Sequence, residues 1–168
     1  MKNKLILPGI FLAVILAISS CKEEDDDSDD IIGTWTSQTL DFEAMVGDKT
    51  VTQYFIDVMG FSPTDAQLYT AIFNATVEQT LTGSITLKAD QTYTSTFGGQ
   101  NETGTWSRSA DGNKLTIDSD NDHPVVLDIV KLTSNELQLH WIETRSIDVN
   151  GDDVPETING EVDMTFVR

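Results

Sequence analysis

The stretch 31–168 predicts an all-β domain with a small helical insertion: an eight-stranded antiparallel up-and-down β-barrel with a helical pair between strands one and two. Three observations carry that expectation. Short segments rich in β-branched and aromatic residues recur at intervals of roughly ten residues, separated by turn chemistry. Several of them alternate apolar and polar residues, giving the wet face and the apolar face of an antiparallel sheet that closes on itself. One stretch, 41–82, instead repeats apolar residues at spacings of three and four, as a helix face does.

Strands are predicted near 32–40, 83–88, 92–97, 103–108, 114–118, 125–132, 136–146 and 157–167. Ala89-Asp90-Gln91, Gly98-Gly99-Gln100-Asn101, Ala110-Asp111-Gly112-Asn113 and Thr133-Ser134-Asn135 supply the turn residues between them. Tyr93 and Phe97 face away from Thr92, Thr94 and Thr96. Leu137, Leu139 and Trp141 oppose Gln138, His140 and Ile142, and Val162, Met164 and Phe166 oppose Glu161, Asp163 and Thr165. Within 41–82, Val51, Tyr54, Phe55 and Val58 make one helical face. A second helix opens with Ser62 as cap, Pro63 at the first helical position and Asp65 where a capping box places an acid. Behind it Tyr69, Ile72, Phe73, Thr76, Val77 and Leu81 form a stripe that reads as packing.

The length of 168 residues suits one domain plus a tail. With 28 acidic residues against 10 basic, the formal charge is −18, and nucleic acid is excluded as a partner because it needs a basic surface to displace counterions. The single cysteine excludes an intrachain disulfide and a cysteine-cluster metal site. No Gly-x-Ser-x-Gly elbow, glycine-rich phosphate loop or His-Glu-x-x-His is present, and the two histidines, His123 and His140, read as surface residues. The chain is therefore read as non-enzymatic.

Residues 1–20 predict a lipoprotein signal peptide. Lys2 and Lys4 precede the apolar stretch 5–18, which spans about 21 Å as a helix, short of the roughly 30 Å hydrocarbon core. Ile18-Ser19-Ser20-Cys21 resembles the bacterial lipobox, which implies that Cys21 is the lipid-attachment site and the first residue of the mature protein. Two or three acyl chains there make a durable membrane anchor. Residues 21–30 then read as the lipidated cysteine and a tether. Seven acids in Lys22-Glu23-Glu24-Asp25-Asp26-Asp27-Ser28-Asp29-Asp30 repel one another and cannot bury apolar surface. The block resembles the acidic export signal of Bacteroidota surface lipoproteins, which implies an outer-membrane protein displayed on the cell surface.

Eight meandering strands with helices after the first resemble the calycin group, which includes lipocalins and fatty-acid-binding proteins. Gly33-Thr34-Trp35 is similar to the lipocalin Gly-x-Trp signature, and the resemblance implies that Trp35 packs at the closed end against an arginine from the last strand, here Arg168. Asp90 with Thr92-Tyr93, Gly104-Thr105-Trp106 and Asn113-Lys114-Leu115-Thr116-Ile117 resemble the lipocalin-like domains of Bacteroidota lipoproteins. Domain 31–168 is accordingly expected to be a lipocalin-like β-barrel.

In such a meander the helical insertion and the connections 98–102, 119–124 and 149–156 share one end, an open mouth with the helices as its lid. Candidate ligand-lining residues are Tyr93, Phe97, Trp106, Ile117, Leu127, Leu139, Trp141, Met164 and Phe166. They suit a small hydrophobic or amphipathic ligand, because an eight-stranded barrel either holds one small ligand or fills with its own side chains. A filled barrel acting as a protein-interaction or envelope-assembly module through its acidic rim is the alternative. Asp118, Asp120 and Asp122, and likewise Asp148, Asn150 and Asp152, begin like calcium loops. Each lacks the glycine at position six and the glutamate at position twelve, where Ile129 and Asn159 stand, so both read better as hairpin tips with solvated acids and no cofactor is expected.

Overall fold

Period-two patterning is realised as a single antiparallel sheet. A computed structural model of the chain describes residues 28–120 and 123–168; the predicted signal peptide 1–20, Cys21, most of the tether and Asp122 lie outside the described residues. The elements run α1 (Ser28–Ile31), β1 (Gly33–Val46), β2 (Lys49–Thr50), α2 (Val51–Asp57), α3 (Pro63–Leu81), β3 (Gly83–Leu87), β4 (Thr92–Phe97), β5 (Gln100–Arg108), β6 (Lys114–Ser119), β7 (Val125–Leu132), β8 (Glu136–Ile147) and β9 (Glu156–Val167). Consecutive strands from β3 to β9 pair as neighbours, β1 pairs with β3, and β1 also pairs with β9, so eight strands close into a barrel. The two-residue β2 is a hairpin extension of β1, outside the closed ring.

The strands are unequal, and that shapes the mouth. β3 and β4 have 5 and 6 residues, whereas β1 has 14 and β8 and β9 have 12 each. β1 pairs with β3 only from Gly33 to Thr36 and then continues along β9, after a bulge between Ser37 and Thr39, with β2 pairing on its other side only at Met45 and Val46. β1, β9 and β8 therefore rise past the rim as a three-stranded ribbon. This corrects the expected end of strand one near residue 40: Phe42, Ala44 and Val46 keep the alternation going because β9 supplies partners as far as Ile158.

The helices pack against that ribbon. Thr50 caps α2, accepting from the Gln53 amide while the Gln53 side chain accepts from the Thr50 amide. Ser62 caps α3 with Pro63 in its first turn, as its sequence predicts. Val46, Val51 and Tyr54 form a small core with Phe55, Phe73, Val149 and Ile158, separate from the barrel interior. α3 is less deeply seated than the predicted stripe implies. Only Ala66 is buried along it, and Tyr69 and Ile72 stay about half exposed.

The closed end is plugged. Trp35 is completely buried and its indole Nε1 donates to the Ile31 carbonyl at 2.8 Å. The Arg168 guanidinium lies 4.1 Å from the centre of the Trp35 ring. Gly33 holds φ +144°, and a Cβ there would come within 3.2 Å of that guanidinium, which accounts physically for glycine two residues before the tryptophan. Ser28–Ile31 form a helical turn, and the Ile31 carbonyl accepts from Trp35 of the plug.

Candidate functional site

Above the plug, the inward positions of the strands enclose an apolar cavity of about 250 Å³. Eight of the nine candidate residues line it. Tyr93 and Phe97 come from β4, Ile117 from β6 and Leu127 from β7; Leu139 and Trp141 come from β8, and Met164 and Phe166 from β9. Trp106 points inward but lies below the cavity floor, where its Nε1 donates to the Lys88 carbonyl at 3.0 Å, so it belongs to the core near the plug. A second space of about 310 Å³ adjoins the first beneath α3, between Phe73, Val77 and the ribbon. The two share Leu81, Trp141, Glu143 and Arg145 as walls. Together they reach the range of small-molecule pockets, roughly 300–1,000 Å³.

The helical insertion is fastened at its far end. The Tyr54 hydroxyl of α2 donates to the Glu156 carboxylate, whose other oxygen accepts from the Val149 amide at 2.8 Å. Burial, followed by the hydrogen bond to Glu156 and its charge, pushes the Tyr54 phenol up to about 12. At the other end of α3, the Gly98 amide donates to the Thr82 carbonyl at 3.1 Å, joining the helix terminus to the β4–β5 turn.

The cavity wall also carries polar groups that the alternation did not single out. Ser95 is buried on β4, directly opposite Glu102 on β5. Glu102 was expected in a loop spanning 98–102. The hairpin instead turns tightly at Gly98 and Gly99 and Phe97 pairs with Gln100, so β5 begins early and Glu102 faces inward like Gly104 and Trp106. Its carboxylate accepts from the Ser119 hydroxyl at 2.5 Å. Tyr93 stands opposite Gly104, and a Cβ at Gly104 would meet the Tyr93 ring at 2.8 Å, so the missing side chain makes room for the phenol. The Tyr93 hydroxyl is buried without a hydrogen-bond partner. Burial raises its pKa most, the neighbouring Ser119 hydroxyl lowers it, and the nearby Glu102 carboxylate raises it further. Across the mouth Arg145 and Glu143 form an ion pair at 2.5 Å.

Among the described residues, neither loop of candidate calcium residues forms a group of three close donors, and Asp122 lies outside those residues. Asp118 is exposed on β6, and Asp120 accepts from the Thr103 hydroxyl at 2.7 Å. In the β8–β9 tip, the Asp148 carboxylate accepts from the amides of Gly151 at 2.7 Å and Asp153 at 2.9 Å, while Asn150 and Asp152 accept from the amides of Asp152 and Val154. Both oxygens of Asp148 thus serve the loop's own backbone. On the outer face, His140 Nδ1 lies 3.0 Å from Asp163, with Glu161 close enough to complete a three-donor group. Among the described residues no helix is long and apolar enough to cross a membrane.

The sequence profile of the lipocalin-like domain matches residues 31–139, from the start of the plug into β8. The chain belongs to the lipocalin-like domain family. A crystal structure of a DUF4847 family protein from Bacteroides vulgatus ATCC 8482 is similar to this lipocalin-like protein at 17% identity and a TM-score of 0.41, covering 84% of this chain and 95% of that one. No curated protein matches the sequence.

Proposed function

We propose that this lipocalin-like protein is a non-enzymatic binder of a small hydrophobic or amphipathic molecule, held at the outer membrane by lipid on Cys21 and displayed on the cell surface. The apolar cavity opening beneath α3 carries the binding reading. Space enclosed by aromatic and aliphatic walls weighs against the filled-barrel alternative, since cores are otherwise packed to crystal density with few voids larger than a water. The lipobox and the acidic run after Cys21 support the anchor and its exposure. With the tether entering beside Trp35 and Arg168, the mouth faces away from the membrane, an orientation suited to capture from outside.

Titrating fatty acids, long-chain alcohols and amines, bile acids and haem-like compounds while following tryptophan emission tests the binding reading. A saturable change with at least one of them is expected, and none with any would overturn it. Cys21→Ala is expected to abolish incorporation of labelled palmitate and release the protein from the membrane fraction. Protease shaving of intact cells, set against lysed cells, tests surface display.

A further inference from the structure

We propose that the ligand's head group is an uncharged or cationic hydrogen-bond donor, an alcohol or an amine, received by Tyr93 and Glu102 on the β4–β5 wall. This deepens the binding reading above and rests on it. Two independent features point to that wall. The Tyr93 side chain is 1% exposed, lines the cavity and leaves its hydroxyl with no partner. Buried polar atoms are nearly always satisfied, so an unpaired hydroxyl in a cavity wall is met there by a ligand atom or by the water that a ligand displaces. Glu102 places a carboxylate at an inward barrel position one rung above Gly104, where its partner Ser119 takes up one oxygen.

The chemistry of this pair selects the head group. An ionised carboxylate only accepts hydrogen bonds, whereas a phenol hydroxyl both donates and accepts. An alcohol satisfies the pair at once, donating to Glu102 and accepting from Tyr93. A protonated amine donates to both and adds charge complementarity. A carboxylate head meets like charge from Glu102, and Arg145, the one cation lining the cavity among the described residues, is paired with Glu143. An apolar body sealing the cavity without supplying a donor would leave Glu102 desolvated and underpaired, which disfavours plain hydrocarbons as well.

The test holds the body constant and varies the head. Isothermal titration of the purified protein with decan-1-ol, decylamine and decanoate is expected to rank the alcohol and the amine at least about tenfold tighter than the acid. Glu102→Gln is expected to bring decanoate up to the affinity of decanol and to remove the advantage of the amine. Tyr93→Phe is expected to weaken decanol by about tenfold while leaving the thermal midpoint unchanged or raised, because the orphan hydroxyl contributes nothing to the unliganded fold. Equal binding of all three, or tighter binding of decanoate, overturns the head-group assignment and leaves the binding reading standing. No saturable binding of any overturns the head-group assignment, and the binding reading falls with it only where the wider panel above also fails to bind. Should either variant fail to fold, the series on the unaltered protein decides alone.

Discussion

The guanidinium of Arg168 covers the Trp35 ring while its Nη2 donates to the carbonyls of Asp30, at 2.5 Å, and Ile32, at 2.7 Å. One side chain from the end of β9 thus fastens α1, the start of β1 and the barrel plug, using the forked donors and flat face that distinguish arginine from lysine. Arg168→Ala is expected to destabilise the fold by about 1–3 kcal/mol, the combined size of a cation–π contact and two charge-assisted hydrogen bonds on a partly exposed group. Arg168→Lys is expected to recover less than half of that loss. Urea unfolding midpoints of the three proteins check it, and an unchanged midpoint for the alanine variant would show that the plug holds without the arginine.

Tyr54 and Glu156 give the lid a dependence on alkaline pH. The folded phenol titrates near 12 against an ordinary value of 10.0, so folding favours its protonated form. The stabilisation is therefore fully present below pH 10 and is lost as pH rises through 12. Tyr54→Phe removes the group altogether. The stability difference between the two proteins, measured in urea from pH 8 to 12, is expected to be largest below pH 10 and to shrink above it. A difference that stays constant across that window would mean that neither burial nor Glu156 raises the phenol's pKa in the folded state.

The barrel was legible where strands show one wet and one apolar face, as at Tyr93 with Phe97 and at Leu137, Leu139 and Trp141. The rest was hidden for identifiable reasons. Phe42, Ala44 and Val46 extend β1, but the strand that pairs with them, β9, lies at the far end of the chain. Sorting residues by hydrophobicity finds the apolar wall and passes over polar residues at inward positions. Ser95, Glu102, Ser119 and Arg145 escaped for that reason, and Glu102 more so because Gly98, Gly99 and Asn101 beside it read as loop. Alternation also gives the side of a strand and not the depth. Trp106 and Trp141 both point inward, yet one supports the floor and the other lines the cavity.

The thin packing of α3 sets an expectation for its dynamics. Leu68, Tyr69 and Ile72 are 57, 49 and 53% exposed, and Ala66 alone is buried along the helix. β8, in contrast, is hydrogen-bonded on both sides, to β7 and β9. Local opening costs least where few apolar contacts are lost. Amides of 68–80 are expected to exchange roughly 100-fold or more faster than those of 137–141, and to slow when the cavity is filled. Matching rates in the two segments would show that α3 opens only with the barrel and is no independent lid.

Of the three tryptophans, Trp141 alone touches the cavity. Trp35 is sealed beneath Arg168, and Trp106 is buried at the floor with its indole nitrogen bonded to Lys88. Trp141 is only partly buried and borders both the barrel cavity and the space beneath α3, so a molecule entering either one changes its surroundings. A ligand-induced change in emission is therefore expected to vanish in Trp141→Phe and to persist in Trp106→Phe. Affinity measured by calorimetry should fall by severalfold at most in Trp141→Phe, because phenylalanine keeps an aromatic face and much of the buried area. If the emission change survives in Trp141→Phe and disappears in Trp106→Phe, the ligand reaches the closed end, and the floor must open to admit it.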